Sequence, residues 1–171
     1  MNAPTQVGTE VSIRHRAGMA AALAQARRAQ ARGEPPFGVV IVAADGTLLA
    51  ATHDRVRELG DMSAHGEVLA VREACAQGAG RLAASTLYTT CEPCPMCYTA
   101  AWLAGIGELV FGTTMAQVHA RVGAQQRELR IPAASLNALN PEPLHLVGGV
   151  AADECLALFV PVAGSAAGAD R

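Results

Sequence analysis

Residues 86–113, "TLYTTCEPCPMCYTAAWLAGIGELVFGT", decide how this chain folds. The stretch opens on a short β-rich run and passes a turn of cysteines and prolines. It then continues as an Ala-rich helical run that closes on Gly105 and ends in a second apolar run, "ELVFGT". A strand, a helix and another strand in that order read as a parallel crossover, which is right-handed in nearly all proteins.

Working outward, "SIRHRAGMAAALAQARRAQA" at 12–31 is rich in Ala, Leu, Gln and Arg and free of Pro, so it predicts a helix. "GEPP" at 33–36 ends it. "FGVVIVAADGTLLAAT" at 37–52 predicts a hairpin, with its tight turn at "AADG". A polar loop over 53–64 then leads into "HGEVLAVREACAQ", where Val68, Leu69, Val71 and Cys75 have helical spacing. Beyond the quoted stretch, residues 115–130 read as polar helix ending at "IP". "AASLNAL" reads as a short helix, "LHLVGG" as a strand, and "AADECLALFV" as a closing helix with Asp153 near its start. The order α-β-β-α-β-α-β-α-β-α predicts an α/β fold, a three-layer α/β/α domain on a mixed five-stranded sheet, with the first two strands antiparallel. Residues 12–160 make the domain; 1–11 read as a flexible arm and 161–171 as a flexible tail.

At 171 residues, 51% of them apolar and 16% charged, the chain suits a single core. It has no lysine and a formal net charge of −2, so the basic footprint that recruits nucleic acid is missing and a nucleic-acid partner is not expected. No apolar run reaches the ~18–20 residues that cross a bilayer. "MNAPTQVGTEVS" lacks a basic start and an apolar stretch. The expected location is cytoplasmic and reducing, with no membrane partner. The five cysteines at 75, 91, 94, 97 and 155 therefore read as thiols or ligands, not as disulfides.

Cys94 and Cys97 are three apart at a helix start, where partial positive charge favours the metal-binding thiolate. His65 opens the preceding helix and can bring a nitrogen to the same place. One nitrogen and two sulfurs make a zinc set with a fourth position left for water. Glu67, two residues after His65, can reach that position without ligating and can move protons there. A structural zinc or a redox dithiol would also use Cys94 and Cys97, but neither needs the His and Glu. A ferredoxin-type run would need a further cysteine, and position 101 is Ala. Cys75 and Cys155 read as core, Cys91 as core or as a neighbour of the ligands, and His15, His53, His119 and His145 as surface or loop residues.

Together "SAHGEVLAVREA" and "TLYTTCEPCPMC" resemble the two motifs of the zinc-dependent cytidine deaminase-like superfamily, and the likeness extends over about residues 12–160. The resemblance implies one Zn2+ per chain on His65, Cys94 and Cys97, Glu67 as proton shuttle, and hydrolytic replacement of an exocyclic amine by a carbonyl with release of ammonia. "CEPCPMC" and "PPFGVVIV" are similar to bacterial guanine deaminases, "HGE" to fungal cytosine deaminases, and "VAADECLALF" to tRNA adenosine deaminases. The expected substrate is a small amino-heterocycle, a free nucleobase or close analogue. The alternatives are a tRNA-specific adenosine deaminase and a catalytically silent zinc-stabilised binding module. The resemblance also implies a homo-oligomer, a dimer in the first instance.

Three departures stand out. Relatives usually carry at position 54 an Asn that contacts substrate; here it is Asp54, which only accepts hydrogen bonds when ionised. That favours a substrate with more N–H groups, unless Asp54 is simply a solvated turn residue. "DMSA" replaces the usual "DPTA", so Met62 is expected to alter the pocket wall. Residues 119–143 match no branch and are expected at the pocket rim or a subunit contact. Asp54, Phe37 and the backbone of Ala64 are the expected substrate contacts.

Overall fold

The computed structural model of the chain describes residues 13–78 and 82–160; the expected arm and tail lie outside the described residues. Seven helices and five strands follow in the order α1 (Ile13–Ala31), β1 (Gly38–Val42), β2 (Leu48–His53), α2 (Val56–Leu59), α3 (Gly66–Ala76), β3 (Thr86–Cys91), α4 (Pro95–Leu103), β4 (Glu108–Thr113), α5 (Met115–Val122), α6 (Ala133–Leu139), β5 (His145–Val147) and α7 (Ala152–Ala157) among the described residues. The strands form one sheet in the order β2-β1-β3-β4-β5. β1 is antiparallel to β2 and β3, whereas β3, β4 and β5 are parallel. The mixed five-stranded α/β architecture is the expected one.

Alternation along the strands sorts the side chains into two cores, one on each sheet face. Val40, Tyr88 and Val110 pack with Met19, Ala22 and Leu23 of α1, Met115 and Val118 of α5, and Cys155 of α7. Val39, Ile41, Leu87 and Leu109 face the other way, onto Ala70 and Ala74 of α3, Ala101 of α4 and Ala133 of α6. Every residue of β3 is buried, as the central strand of a sheet covered on both faces must be.

α1 lies close on β1 because Gly38 has no side chain. A Cβ there would sit 2.1 Å from the carbonyl oxygen of Ala22 and 2.3 Å from the backbone nitrogen of Ala26. The hairpin turn closes with Gly46 at φ 86°, and the Asp45 carboxylate accepts from the Thr47 backbone N–H at 2.9 Å.

Two segments depart from expectation. The loop over 53–64 contains a helical turn, α2, because the Glu34 carboxylate accepts backbone N–H groups from Arg57 at 3.0 Å and Glu58 at 2.6 Å. Gly60, at φ 61°, closes that turn. The helix expected over 115–130 ends at Val122, where Gly123 takes φ 74°, and an irregular segment runs from there to Pro132. Its start is well specified, since Thr114 and Gln117 form a reciprocal capping box.

His15 and His53 are not surface residues. His15 is buried on the inner face of α1, its Nδ1 3.4 Å from the Tyr88 hydroxyl, and His53 closes β2 with Nδ1 donating to the Asp54 carbonyl at 2.8 Å. His145 is exposed and His119 half-buried. Cys155 is fully buried and Cys75 partly so.

β2, β3 and β4 run the same way, so their carboxyl ends share one edge with the start of β1. At that edge stand His53, Cys91, Thr113 and Gly38. Ligand sites of α/β sheets lie beyond such ends.

Gly38→Ala should lower stability by about 2–3 kcal/mol or more, because the clash is with helix backbone, which cannot swing aside. Thermal and urea unfolding check this; a loss within about 0.5 kcal/mol would mean that α1 is free to shift.

Candidate metal centre and active site

His65 is the extended residue that caps α3, at φ −68° and ψ 147°. Cys94 caps α4 in the same way, at φ −65° and ψ 166°, followed by Pro95 in the first helical position. Cys97 lies in the first turn of α4. Two helix amino termini thus bring their leading side chains to one place. His65 Nδ1 is 3.7 Å from Cys94 Sγ and 3.4 Å from Cys97 Sγ. The three ligand atoms lie within 4.8 Å of one another, and no other His, Cys, Asp or Glu group among the described residues is so placed.

The charges suit a cation. A hydrogen bond from Cys97 outweighs burial and, with His65, brings the Cys94 thiol down to about 4. The same bond, reinforced by burial, holds the Cys97 proton well above the usual thiol range. Burial acts to lower the imidazole of His65, but Cys94, Glu67 and Asp54 together raise it to about 9. One nitrogen and two sulfurs, one already a thiolate, with no fourth protein ligand in the group, match a zinc site that keeps a position open. A zinc closed by four protein ligands, as in a purely structural module, is not what these residues build. Cys91 is outside the ligand group but lines the same pocket, its thiol pushed up by burial.

Glu67 is 5% exposed, lines the same pocket, and accepts from the Thr89 hydroxyl at 2.8 Å through Oε1. Burial, and then the negative Cys94, raise its carboxyl. Gly66 before it has no room for a side chain: a Cβ would lie 2.9 Å from Val39 Cγ2 and 3.2 Å from the His53 carbonyl carbon. The helix start therefore sits directly on β1 and the end of β2.

Asp54 is fully buried and is no solvated turn residue. Its Oδ1 accepts from the Gly66 backbone N–H at 2.6 Å, while Oδ2 is buried without a partner. Burial and the neighbouring Glu67 push this carboxyl up to about 8. Phe37 lines the pocket too, its ring tilted against Phe159 at 5.3 Å. Ala64 does not join them: its N–H donates to Asp61 and its carbonyl accepts from Arg55, both inside the loop. Met62 is 69% exposed and forms no part of the pocket lining.

The rest of the lining comes from a region in which the sequence offered no motif. Met115 and Val118 of α5, with Gln125, Gln126 and Glu128 of the irregular segment, cover the metal ligands, so of the expected 119–143 segment Gln125, Gln126 and Glu128 line the pocket. Glu92 holds this cover in place. Its Oε2 accepts from the Met115 N–H at 3.2 Å and its Oε1 from the Ala133 N–H at 2.9 Å, one at each end of the covering region. Glu128 is half-buried, its carboxyl raised by burial, and its Oε1 lies 3.8 Å from His119 Nε2. Gln126 points inward, Nε2 at 3.4 Å from His65 Nδ1 and Oε1 buried without a partner. The enclosed space is about 20 Å³, roughly one water's worth. A larger occupant requires the segment to move.

Residues 12–113 match the family model of the cytidine and deoxycytidylate deaminase zinc-binding region. Among curated proteins, the tRNA-specific adenosine deaminase of Agrobacterium fabrum is 45% identical over 95 residues, covering 55% of this chain and 62% of that protein. This chain spans less than two thirds of the length of the curated relatives it matches first. Among solved structures, a tRNA:A34 deaminase studied for A-to-I editing of transfer RNA superposes with TM-score 0.68 and 32% identity, over 83% of this chain and 98% of that one. The guanine deaminase of Nitrosomonas europaea superposes with TM-score 0.71 and 26% identity, over 84% and 81%.

Two outcomes follow from this geometry. Purified protein should carry one zinc per chain by atomic emission, and Cys97→Ala should lose it. A chelator should lower the melting temperature of the parent and leave that of Cys97→Ala unchanged, since binding to the folded state is the stabilising step. Glu92→Gln places an amide N–H against one backbone N–H, so it should cost about 1–3 kcal/mol. Hydrogen exchange should then speed up across 123–132 and stay unchanged in β3.

Proposed function

The chain belongs to the cytidine and deoxycytidylate deaminase family, and from that premise we propose that it is a hydrolytic deaminase of a small free amino-heterocycle, a nucleobase or close analogue. The observation that carries this reading is the covered, acceptor-rich pocket. Asp54 Oδ2, Glu67 and Glu128 present carboxyl oxygens to a space closed over by residues 123–132. Free bases offer several ring and exocyclic N–H groups and are small enough to enter beneath a shifted segment. A phosphodiester chain would bring negative charge towards three acidic side chains.

Zinc held by His65, Cys94 and Cys97 would supply the Lewis acidity that makes water nucleophilic at neutral pH. Glu67, buried beside it and steadied by Thr89, takes a proton from the attacking water and delivers it to the ring nitrogen next to the reacting carbon. The second proton goes to the departing amine, so water and the amine exchange as carbonyl and ammonia. Asp54 Oδ2, buried and unpaired, faces the substrate and accepts its N–H when the carboxyl is ionised, with Oδ1 held still by the α3 backbone. Phe37 offers its ring to the flat face of the base. A homodimer in a cytoplasmic setting completes the reading. No helix among the described residues is long and apolar enough to cross a membrane.

The second reading, a tRNA-specific adenosine deaminase, is favoured by the relatives in Agrobacterium fabrum and Bacillus subtilis and by the 98% coverage of the A34 deaminase chain. Ammonia release from guanine, cytosine, adenine, isocytosine, aminotriazines, their nucleosides and an anticodon stem-loop separates the two. One free base should be turned over. Glu67→Ala, with zinc content and circular dichroism unchanged, should fall by about 10²–10⁴-fold. Turnover of the stem-loop alone would replace this reading with the second. A Glu67→Ala enzyme keeping more than about a tenth of the rate would remove the proton-shuttle role.

A further inference from the structure

An amino-heterocycle carries acceptors as well as donors, because the amine to be lost sits on a carbon doubly bonded within the ring to nitrogen. The pocket must therefore donate somewhere, and few of its side chains donate in every protonation state. Asp54, Glu67 and Glu128 are carboxyl groups that donate only while protonated, the Cys91 thiol is a weak donor, and both oxygens of Glu92 are taken by backbone N–H groups. His65, Cys94 and Cys97 are the ligand set. Phe37, Met115 and Val118 have nothing to donate. Two amides remain. Gln125 turns its Nε2 to the Val122 carbonyl at 3.5 Å, away from the pocket chemistry. Gln126 does not: its Nε2 faces His65 Nδ1 at 3.4 Å, and its Oε1 is buried and unpaired.

The pairing with Nδ1 cannot persist in the working protein. Nδ1 is the ring nitrogen that faces the two thiols and is placed to bind a cation, so once it ligates it accepts nothing from Gln126. The amide is then left beside the metal centre with both ends unsatisfied, in a space that holds about one water. Leaving such groups unpaired is costly; a ligand that pairs them removes the cost.

We propose that Gln126 is a specificity-determining residue of the site: its amide N–H donates to a ring-nitrogen or carbonyl acceptor of the bound base, and its Oε1 accepts a neighbouring N–H. It supplies from the covering segment a donor that does not depend on protonation, as an Asn at position 54 would have done. The inference rests on the free-base reading above and adds the group by which that base is oriented. Gln126 and Glu128 then act as a pair two residues apart, one giving a donor and an acceptor and the other an acceptor, both delivered when the segment closes.

The test uses the zinc-loaded full chain carrying Glu67→Ala, which binds without turning over, and titrates guanine, cytosine, isocytosine and adenine by calorimetry. In that background Gln126→Leu removes the amide, and Gln126→Glu keeps its shape while removing the donor. Zinc content and melting temperature, unchanged from the parent, show that both variants are folded and loaded. Both should weaken the best-bound base by on the order of 10- to 100-fold, as loss of a buried hydrogen-bond partner does. With Glu67 restored, both should raise KM more than they lower kcat. Binding by Gln126→Glu within about threefold of the parent would mean that the side chain only fills space, and would overturn the inference while leaving the deaminase reading intact. Absence of binding by any of the four bases would overturn the free-base reading and this inference with it.

Discussion

Two helices begin at the same point, and the rest of the site depends on that convergence. β2 and β3 run in one direction, so the helices that follow them start on the same sheet edge, with His65 and Cys94 as their capping residues. A helix start has backbone N–H groups without partners and a partial positive charge. Here that field falls on thiols and carboxyl groups, and the Gly66 N–H is taken up by Asp54. The arrangement needs close approach of helix to sheet. Gly38 under α1 and Gly66 under α3 make it possible, each where a methyl group would meet neighbouring atoms at under 3 Å.

Bringing so many ionisable groups together has a cost that the fold leaves unbalanced. Asp54 Oδ2, Gln126 Oε1 and His119 Nε2 are buried side-chain atoms without hydrogen bonds, and all three lie in or beside the covered pocket. Unpaired polar atoms in a well-packed chain gather where a ligand or an ion completes them. Their placement here marks out which faces of the pocket are waiting to accept and which to donate. It also separates this site from a structural zinc, whose surroundings have no reason to hold unsatisfied groups.

The metal triad, Glu67 and the five strands were legible because their signals are local. A Cys pair at spacing three, a His-x-Glu, apolar runs and a turn at "AADG" each declare themselves within a few residues. What stayed hidden is non-local. The helical turn at 56–59 exists because Glu34, more than twenty residues earlier, accepts its N–H groups. The anchoring role of Glu92 depends on amides 23 and 41 residues further on. His15 and His53 read as surface or loop residues because a lone histidine gives no sign of burial. The helix expected across 115–130 failed at Gly123, a residue that helices tolerate until its φ turns positive.

The boundary of the family match falls at a telling place. It ends at residue 113, the last residue of β4, after the ligands, Glu67 and Asp54, and before the first residue of the cover. The shared part of the fold thus holds the metal set and the buried Glu67 carboxyl on helix termini and strand ends, where packing fixes them within narrow limits. The part that covers the pocket is a short helix and an irregular segment pinned at the two ends by one carboxylate, and such a region can change its sequence without disturbing the sheet. Relatives that act on a tRNA and relatives that act on guanine can therefore share one catalytic frame. The difference between them is expected in residues such as Gln126 and Glu128, which lie beyond the frame and face into it.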